Sequence, residues 1–150
     1  MKNYAVGVGL IALACQASGA TGSWQALAPL PEPNAAFVCG RVGGSIVVLG
    51  GTNWANGRKN WLQAVHAFDL ETLQWTTLAP LTQPMAYSVA SERGAGMIVA
   101  GGTTGEAPLS GALRVEPTLQ VVSLKAGVAT PSVLCAGGLV GDQLIFVGGT

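Results

Sequence analysis

An internal repeat limits the fold of this chain more than any other feature of its sequence. The segment WQALAPLPEP at 24–33 returns as WTTLAPLTQP at 75–84, a shift of 51 residues. A proline is also followed 17 residues later by a glycine pair at three places, Pro33 to Gly50, Pro84 to Gly101 and Pro131 to Gly148. A fixed period of about 50 residues predicts an array of similar units, in which neighbours cover each other's apolar faces.

Short apolar segments separated by turns predict the β-strands within each unit. In the first unit we expect strands at 35–40, 45–51 (SIVVLGG), 64–70 (AVHAFDL) and 75–78 (WTTL), and a further strand precedes them at 24–27. The first two strands of the later units are expected at 86–91 and 96–102, and at 133–138 and 143–149. Four strands in about 50 residues are typical of one propeller blade. We therefore predict an all-β fold of blade-like units at 24–78, 79–124 and 125–150, the last incomplete.

The residues of the first unit resemble the kelch motif. Its glycine pair follows an apolar strand, Phe68 and Asp69 form an aromatic-Asp step, and Trp75 comes six residues after Asp69. The order PLPEP, GGTNWANG, Lys-Asn-Trp, VHAFDL, QW, PMAYS and GG is similar to the cyclically permuted mutarotase group, kelch propellers related to N-acetylneuraminate epimerase. The second unit departs from the motif, because Arg114-Val115-Glu116 replaces the aromatic-Asp step and its VVSL strand has no Trp.

The resemblance covers residues 24–150 and has consequences for the architecture. It implies a kelch-type β-propeller, of which this chain holds about two and a half blades of an expected six-bladed ring. Under this expectation the chain corresponds to the N-terminal half of such a propeller, and additional C-terminal blades are needed to close the ring.

The first twenty residues have the layout of a secretory signal peptide. Lys2 precedes ten apolar residues at 5–14 (AVGVGLIALA), and the small residues of CQASGA follow. Ten apolar residues are too few to span a bilayer, which requires about 20. We therefore expect a signal peptide at 1–20, no membrane span, and export to the periplasm or the medium. The Ala14-Cys15 step loosely resembles a lipoprotein processing site, so a lipid anchor on Cys15 is an alternative.

Charge and cysteine usage argue against two classes of ligand. The chain has seven cations and seven anions, whereas nucleic-acid binding needs a clustered excess of Lys and Arg. Three cysteines and one histidine without a paired spacing such as CxxC predict no metal site. Cys39 and Cys135 lie in apolar strand-like segments, which predicts buried thiols rather than a disulfide.

The segment GGTNWANGRKNW at 50–61 concentrates polar and aromatic residues in a chain that is only 9% charged. In up-and-down blades, the loops after the second and fourth strands emerge on one face and the remaining turns on the other, and function commonly sits on such loops. On the opposite face we expect Arg41, Asp69, Glu71, Arg93 and Asp142. The candidate residues that remain on the first face are Glu32, Asn53, Trp54, Asn56, Arg58, Lys59, Trp61, Tyr87 and Glu106.

These side chains suit a sugar acid, because indoles stack on pyranose rings, amides and carboxylates bind hydroxyls, and a cation binds the carboxylate. We predict substrate contacts from Asn53, Trp54, Arg58, Lys59, Trp61 and Tyr87. Arg58 is the preferred carboxylate ligand because its planar fork can bind two oxygens. Glu32 and Glu106 are the candidate acid–base pair for exchange of anomers, a reaction that needs no metal or cofactor.

Together with the resemblance, this predicts an exported mutarotase or epimerase acting on N-acetylneuraminate or a related sugar. The alternative is a kelch module that binds glycans or protein without chemistry. Three further residues are expected to be structural. Trp24 and Trp75 recur at one position of the repeat and should pack between blades, and His66 is expected to be a satisfied core or edge residue.

Overall fold

The computed structural model describes residues 22–150, which form twelve β-strands. The strands are β1 (Val38–Val42), β2 (Ser45–Leu49), β3 (Thr52–Ala55), β4 (Arg58–Trp61), β5 (Val65–Asp69), β6 (Trp75–Thr77), β7 (Val89–Arg93), β8 (Gly96–Ala100), β9 (Gly111–Val115), β10 (Val121–Gly127), β11 (Ala136–Val140) and β12 (Gln143–Val147). The all-β prediction is confirmed. The expected signal peptide and Cys15 lie outside the described residues, within which no helix is long and apolar enough to cross a membrane.

Two four-stranded antiparallel sheets correspond to the first two repeat units. Their strand orders are β1-β2-β5-β6 and β7-β8-β9-β10, and β11 and β12 form a hairpin in the third unit. Each strand of a four-stranded sheet thus pairs with the next strand of that sheet, which is the up-and-down order of a propeller blade. Strand β1 packs against β7 and β8, and β7 packs against β11, so the three units stack in chain order.

The glycine pairs lie where one unit meets the next. The amide of Gly51 donates to the carbonyl of Met85 at 2.7 Å, and Gly102 donates to Ser132 at 3.0 Å. In both junctions the acceptor is the residue after the repeated proline. Gly50 has a φ of 59°, and a Cβ at this position would overlap the Met85 carbonyl oxygen. The first glycine therefore provides both a left-handed backbone and a close approach between units.

The first strand of each unit starts three residues later than predicted, at Val38, Val89 and Ala136. The delay follows from left-handed φ angles of 57°, 58° and 60° at Ala36, Tyr87 and Leu134. A left-handed residue interrupts the extended backbone that a ladder needs. In the first two units the segments before it form only isolated bridges, from Ala35 to Thr52 and from Ala86 to Thr103.

The second unit forms a complete blade although its sequence lacks the aromatic residues of the motif. In the first blade Phe68 pairs with Trp75, and in the second blade Val115 pairs with Val121. Val115 is fully buried. Buried apolar residues from both blades form one shared cluster, which comprises Val38, Val42, Val47, Leu49, Val65, Ala67, Leu81, Met85, Met97, Val99, Leu109 and Val115. Aliphatic residues thus replace the ring pair without changing the strand order.

Two predictions about the N-terminal segment are wrong. Residues 24–27 form no strand, and Trp24 is fully exposed instead of packed between blades. No described strand pairs with this segment, so its backbone has no ladder to join. Trp75 does pack, since its ring centroid lies 5.0 Å from that of Phe68 and its Nε1 donates to the carbonyl of Ala28 at 3.0 Å.

The predicted burial of Cys39 is also wrong. Cys39 is exposed and Cys135 is half-buried, and both are free thiols. On β1 the side chains alternate between faces, so the neighbours of Cys39 in sequence share a different face from it. Val38 and Val42 at the two ends of β1 are buried in the core, which leaves the face of Cys39 uncovered.

Asp69 caps the turn between β5 and β6. Its Oδ1 accepts hydrogen bonds from the amides of Glu71 and Thr72 at 2.9 and 2.7 Å, and from the Thr72 hydroxyl at 3.0 Å. The backbone bond from Thr72, then that residue's hydroxyl and the Glu71 amide, hold the pKa of Asp69 below its ordinary value. A carboxylate that accepts several hydrogen bonds is stabilised in its charged form.

This lowered pKa predicts an acid-dependent contribution to folding. Stability from Asp69 is present above the pKa that the residue has in the unfolded chain, and is lost as pH falls through the lower folded-state pKa. Asp69→Asn should therefore destabilise at neutral pH and cost less as the pH falls below the ordinary pKa of an aspartate. Urea unfolding of the parent and the variant at neutral and at acidic pH measures the difference. Glu71→Gln is the control, and an Asp69→Asn cost that does not change with pH would contradict the prediction.

Candidate functional site

The segment GGTNWANGRKNW forms a β-hairpin, β3–β4, rather than the expected loop. Thr52 pairs with Trp61 at its base. At its tip Asn56 and Gly57 have φ angles of 53° and 72°, as a two-residue type I′ turn requires. The Asn-Gly step was the signal in the sequence for this hairpin. Its significance was missed because the flanking residues do not alternate cleanly between apolar and polar.

The hairpin divides the candidate residues between two faces. Residues directly opposite each other in an antiparallel pair lie on the same face. Because Trp54 pairs with Lys59 and Asn53 pairs with Asn60, one face carries Trp54, Lys59 and Trp61, and the other carries Asn53, Arg58 and Asn60. The two neighbouring cations of the sequence therefore belong to different surfaces.

Lys59, Trp61 and Tyr87 form an aromatic–lysine cluster on the first face. Lys59 Nζ donates to the Tyr87 hydroxyl at 3.0 Å, and it lies 4.4 Å from the Trp61 ring centroid and 5.1 Å from that of Tyr87. The two rings meet edge-on with their centroids 6.1 Å apart. All three side chains are half-buried. Cation–π attraction and the hydroxyl together hold the ammonium in one place.

The second unit contributes to this cluster through Tyr87 and through the loop at 103–108. Gly105 of that loop packs over the Trp61 indole so closely that a Cβ would overlap the ring. Gly105 has a φ of 101°, which also favours glycine. Trp61 is therefore fixed between units rather than free on the hairpin.

A second group, the Glu32 network, lies on the other face and comprises Glu32, Asn53, Asn60, His66 and Thr77. Glu32 Oε2 accepts from Asn53 Nδ2 at 3.2 Å, and Asn53 Oδ1 accepts from Asn60 Nδ2 at 2.9 Å. His66 Nε2 lies 3.4 Å from Glu32 Oε1, and His66 Nδ1 lies 3.1 Å from Thr77 Oγ1. The network thus runs from β6 through the buried β5 to the hairpin.

The structure brings together five of the eight predicted site residues, in two groups. Lys59, Trp61 and Tyr87 meet in the cluster, and Glu32 and Asn53 meet in the network. Trp54 (71% exposed), Arg58 and Glu106 are exposed, and within residues 22–150 their side chains form no hydrogen bond or ion pair with either group. The predicted pairing of Glu32 with Glu106 is therefore not a direct contact.

Sequence reasoning left His66 and Thr77 out of the site. The contact between His66 and Thr77 could have been predicted, because the predicted third and fourth strands place these residues side by side. The contact of His66 with Glu32 joins residues 34 apart, and no local pattern in the sequence indicates it. Among the described residues, no group of three or more His, Cys, Asp or Glu side chains could hold a metal ion.

Two clefts in the described residues lie away from the hairpin. One, of about 200 Å³, is lined by Leu81, Leu109 and Leu113, and the other, of about 330 Å³, lies between the second and third units beside Ile98 and Phe146. Neither is lined by a residue of the cluster or the network. The cluster and the network therefore lie outside both clefts, on the surface around the hairpin, where Trp54, Arg58 and Glu106 are exposed.

Comparison with known protein families identifies the first repeat unit. Residues 33–82 match the family model described as the kelch motif, and this range contains the whole of the first sheet together with the hairpin. Residues 33–82 are a kelch repeat. The hairpin thus lies inside the kelch repeat, between its second strand β2 and its third strand β5. The same glycine-pair junction recurs between the second and third units, which lie outside the matched residues.

Proposed function

We propose that this chain is a sugar-acid mutarotase whose hairpin β3–β4 binds the substrate. The observation that carries the proposal is the position of the Lys59 ammonium beside the Trp61 and Tyr87 rings on one face of the hairpin. Asn53, on the other face, holds Glu32, so the proposed substrate extends around the edge of the hairpin to contact both groups. A sugar acid offers an apolar ring face, several hydroxyls and one carboxylate. Aromatic rings, amides and a fixed cation match these three features.

Lys59 takes the carboxylate contact in this proposal, in place of Arg58. Arg58 has the better fork for two oxygens, but its side chain lies exposed near the hairpin tip. Lys59 is half-buried, and its ammonium donates one of its three N–H groups to the Tyr87 hydroxyl. Two N–H groups remain for a substrate carboxylate. A cation already held in position loses less side-chain entropy on binding, so its ionic hydrogen bond contributes more to affinity.

Glu32 is the proposed acid–base group. Its side chain is 32% exposed, so substrate can reach the carboxylate. As base it takes the proton of the anomeric hydroxyl while the bond from the anomeric carbon to the ring oxygen breaks and that oxygen gains a proton. Rotation of the open form and reversal of these transfers give the other anomer. Glu106, on the loop that packs against Trp61, is the proposed proton donor to the ring oxygen, and no cofactor takes part.

NMR exchange spectroscopy on N-acetylneuraminate tests this proposal. The full-length chain should accelerate exchange between the two anomers, and Glu32→Gln should lower the rate at least about 100-fold, as expected for loss of an acid–base group. Glu92→Gln, which changes a carboxylate at the opposite end of the strands, should leave the rate unchanged. Exchange at the uncatalysed rate would refute the mutarotase.

A non-catalytic kelch module that binds glycans is the second candidate. The openness of the surface around the hairpin favours it, because acid–base catalysis gains from a site that excludes water. The exchange experiment separates the two functions. Binding of the sugar acid without faster exchange would identify the module, whereas binding with faster exchange would identify the mutarotase.

The choice between the two adjacent cations gives a prediction about affinity. Lys59→Met retains most of the apolar stem and removes the charge, so it should weaken N-acetylneuraminate binding by about 1.5 to 3 kcal/mol, the range for hydrogen bonds to charged groups. Arg58→Met, the matched control at an exposed position beside the hairpin tip, should change it by less than about 0.5 kcal/mol. Isothermal titration calorimetry measures both, with a neutral hexose as a ligand that should respond to neither substitution. A larger loss for Arg58→Met would reverse the assignment.

A further inference from the structure

We infer that His66 is a positioning residue that orients the Glu32 carboxylate, an assignment that rests on the proposed function of Glu32. His66 is 4% exposed on β5, and both of its ring nitrogens have polar partners. Nε2 lies 3.4 Å from Glu32 Oε1, and Nδ1 lies 3.1 Å from Thr77 Oγ1. The ring thus connects the outer strand β6 to the carboxylate at the hairpin.

The chemistry of the partners determines the tautomer of the ring. An ionised carboxylate can only accept hydrogen bonds, so the nitrogen that faces Glu32 must carry a hydrogen. In the neutral ring this leaves Nδ1 as an acceptor, and the Thr77 hydroxyl donates to it. If the ring gains a proton, the Thr77 hydroxyl can rotate and accept from Nδ1. The donor toward Glu32 is kept in both states, so Glu32 has a constant partner.

Among the described residues, Glu32 is the charged side chain that contacts His66. Val48 of β2 pairs with His66 across the sheet, and Thr77 pairs with it from β6. The Trp75 ring meets the imidazole edge-on with the centroids 6.5 Å apart. Burial beside Val48 and Trp75 keeps water from competing for the imidazole, which strengthens the hydrogen bond to the carboxylate.

The consequence for Glu32 is a fixed orientation. Its Oε1 faces His66 and its Oε2 accepts from Asn53, which uses two of the roughly four lone-pair positions of a carboxylate. Within residues 22–150 no other side chain bonds to this carboxylate, so a substrate hydroxyl can use the remaining positions. A base held from both oxygens approaches a substrate proton in one geometry, and catalysis depends strongly on such preorganisation.

The tautomer is tested first, without reference to activity. Long-range ¹H–¹⁵N NMR of the single histidine at neutral pH should show the Nε2–H form, and Thr77→Val should reduce the fraction of that form by removing the hydroxyl at Nδ1. Glu32→Ala should also alter the imidazole signals, and Glu71→Gln should not. An Nδ1–H tautomer, or imidazole signals unaffected by Glu32→Ala, would overturn the inference.

Exchange kinetics then test the effect on the reaction. His66→Leu should lower kcat for anomer exchange about tenfold with little change in KM, less than the 100-fold that a displacement of about 1 Å can cost. His66→Gln should recover part of the loss, because its amide can still donate to Glu32. Equal kcat for the parent and both variants would overturn the inference. A parent without exchange activity, combined with the expected tautomer, would refute the proposed function while the contact itself stands.

Discussion

Gly50→Ala is expected to destabilise the chain by about 4 kcal/mol, and Gly94→Ala by only about 1 kcal/mol. Both glycines have a φ of 59°, so the cost of a left-handed alanine is common to the two substitutions. They differ in their surroundings. A Cβ at Gly50 would overlap the Met85 carbonyl oxygen, whereas a Cβ at Gly94 would enter open space. The excess for Gly50 therefore measures the close contact between the first two units.

Urea denaturation of the two variants at equal m-values gives this difference directly. Gly101→Ala provides an intermediate case at the next junction, because its Cβ would lie 3.1 Å from a Phe146 ring carbon and 3.2 Å from the Ser132 carbonyl oxygen, a tight but adjustable contact. The expected order of cost is Gly50, Gly101, Gly94. Equal losses at Gly50 and Gly94 would show that backbone strain alone accounts for the glycine pair.

The blade arrangement could be predicted because the repeat marks the residues with the strictest steric requirements. The prolines and glycine pairs recur at fixed spacing; the glycine pairs contain the donors of the junctions, and the acceptors directly follow the prolines. The strand starts could not be predicted in the same way. Ala36, Tyr87 and Leu134 share a left-handed conformation, yet none of them is a residue type that favours it. Their backbone follows from the bridges and junctions around them, which are tertiary contacts.

The segment that forms the candidate site could be predicted, but the positions of its side chains could not. Composition singled out 50–61, and the alternation of faces along a hairpin then separates Lys59 from Arg58. That separation required the hairpin register, without which two adjacent cations are equivalent. The Glu32 network also depends on contacts between residues distant in sequence, such as the contact of Glu32 with His66. Local patterns contain no information about such contacts.

Tyr87 connects the candidate site to the junction between units. Its hydroxyl accepts from Lys59, and its amide donates to the Ala36 carbonyl at 3.0 Å. A left-handed tyrosine stores strain of about 1 to 3 kcal/mol, which the surrounding contacts must offset. Because the same residue takes part in the junction and the cluster, changes that loosen the junction should also displace the Lys59 ammonium.

Phe68→Ala is expected to cost about 4 kcal/mol, because it removes a ring that is 3% exposed and leaves a cavity beside Trp75. Val115→Ala, at the corresponding position of the second blade, should cost about 2 kcal/mol because fewer buried carbons are lost. Chemical denaturation of both variants measures the contrast. Val115 and Val121 build their blade without rings, so the aromatic pair is not needed for the strand order. A Phe68→Ala cost no greater than that of Val115→Ala would mean that the aromatic pair also adds nothing to stability.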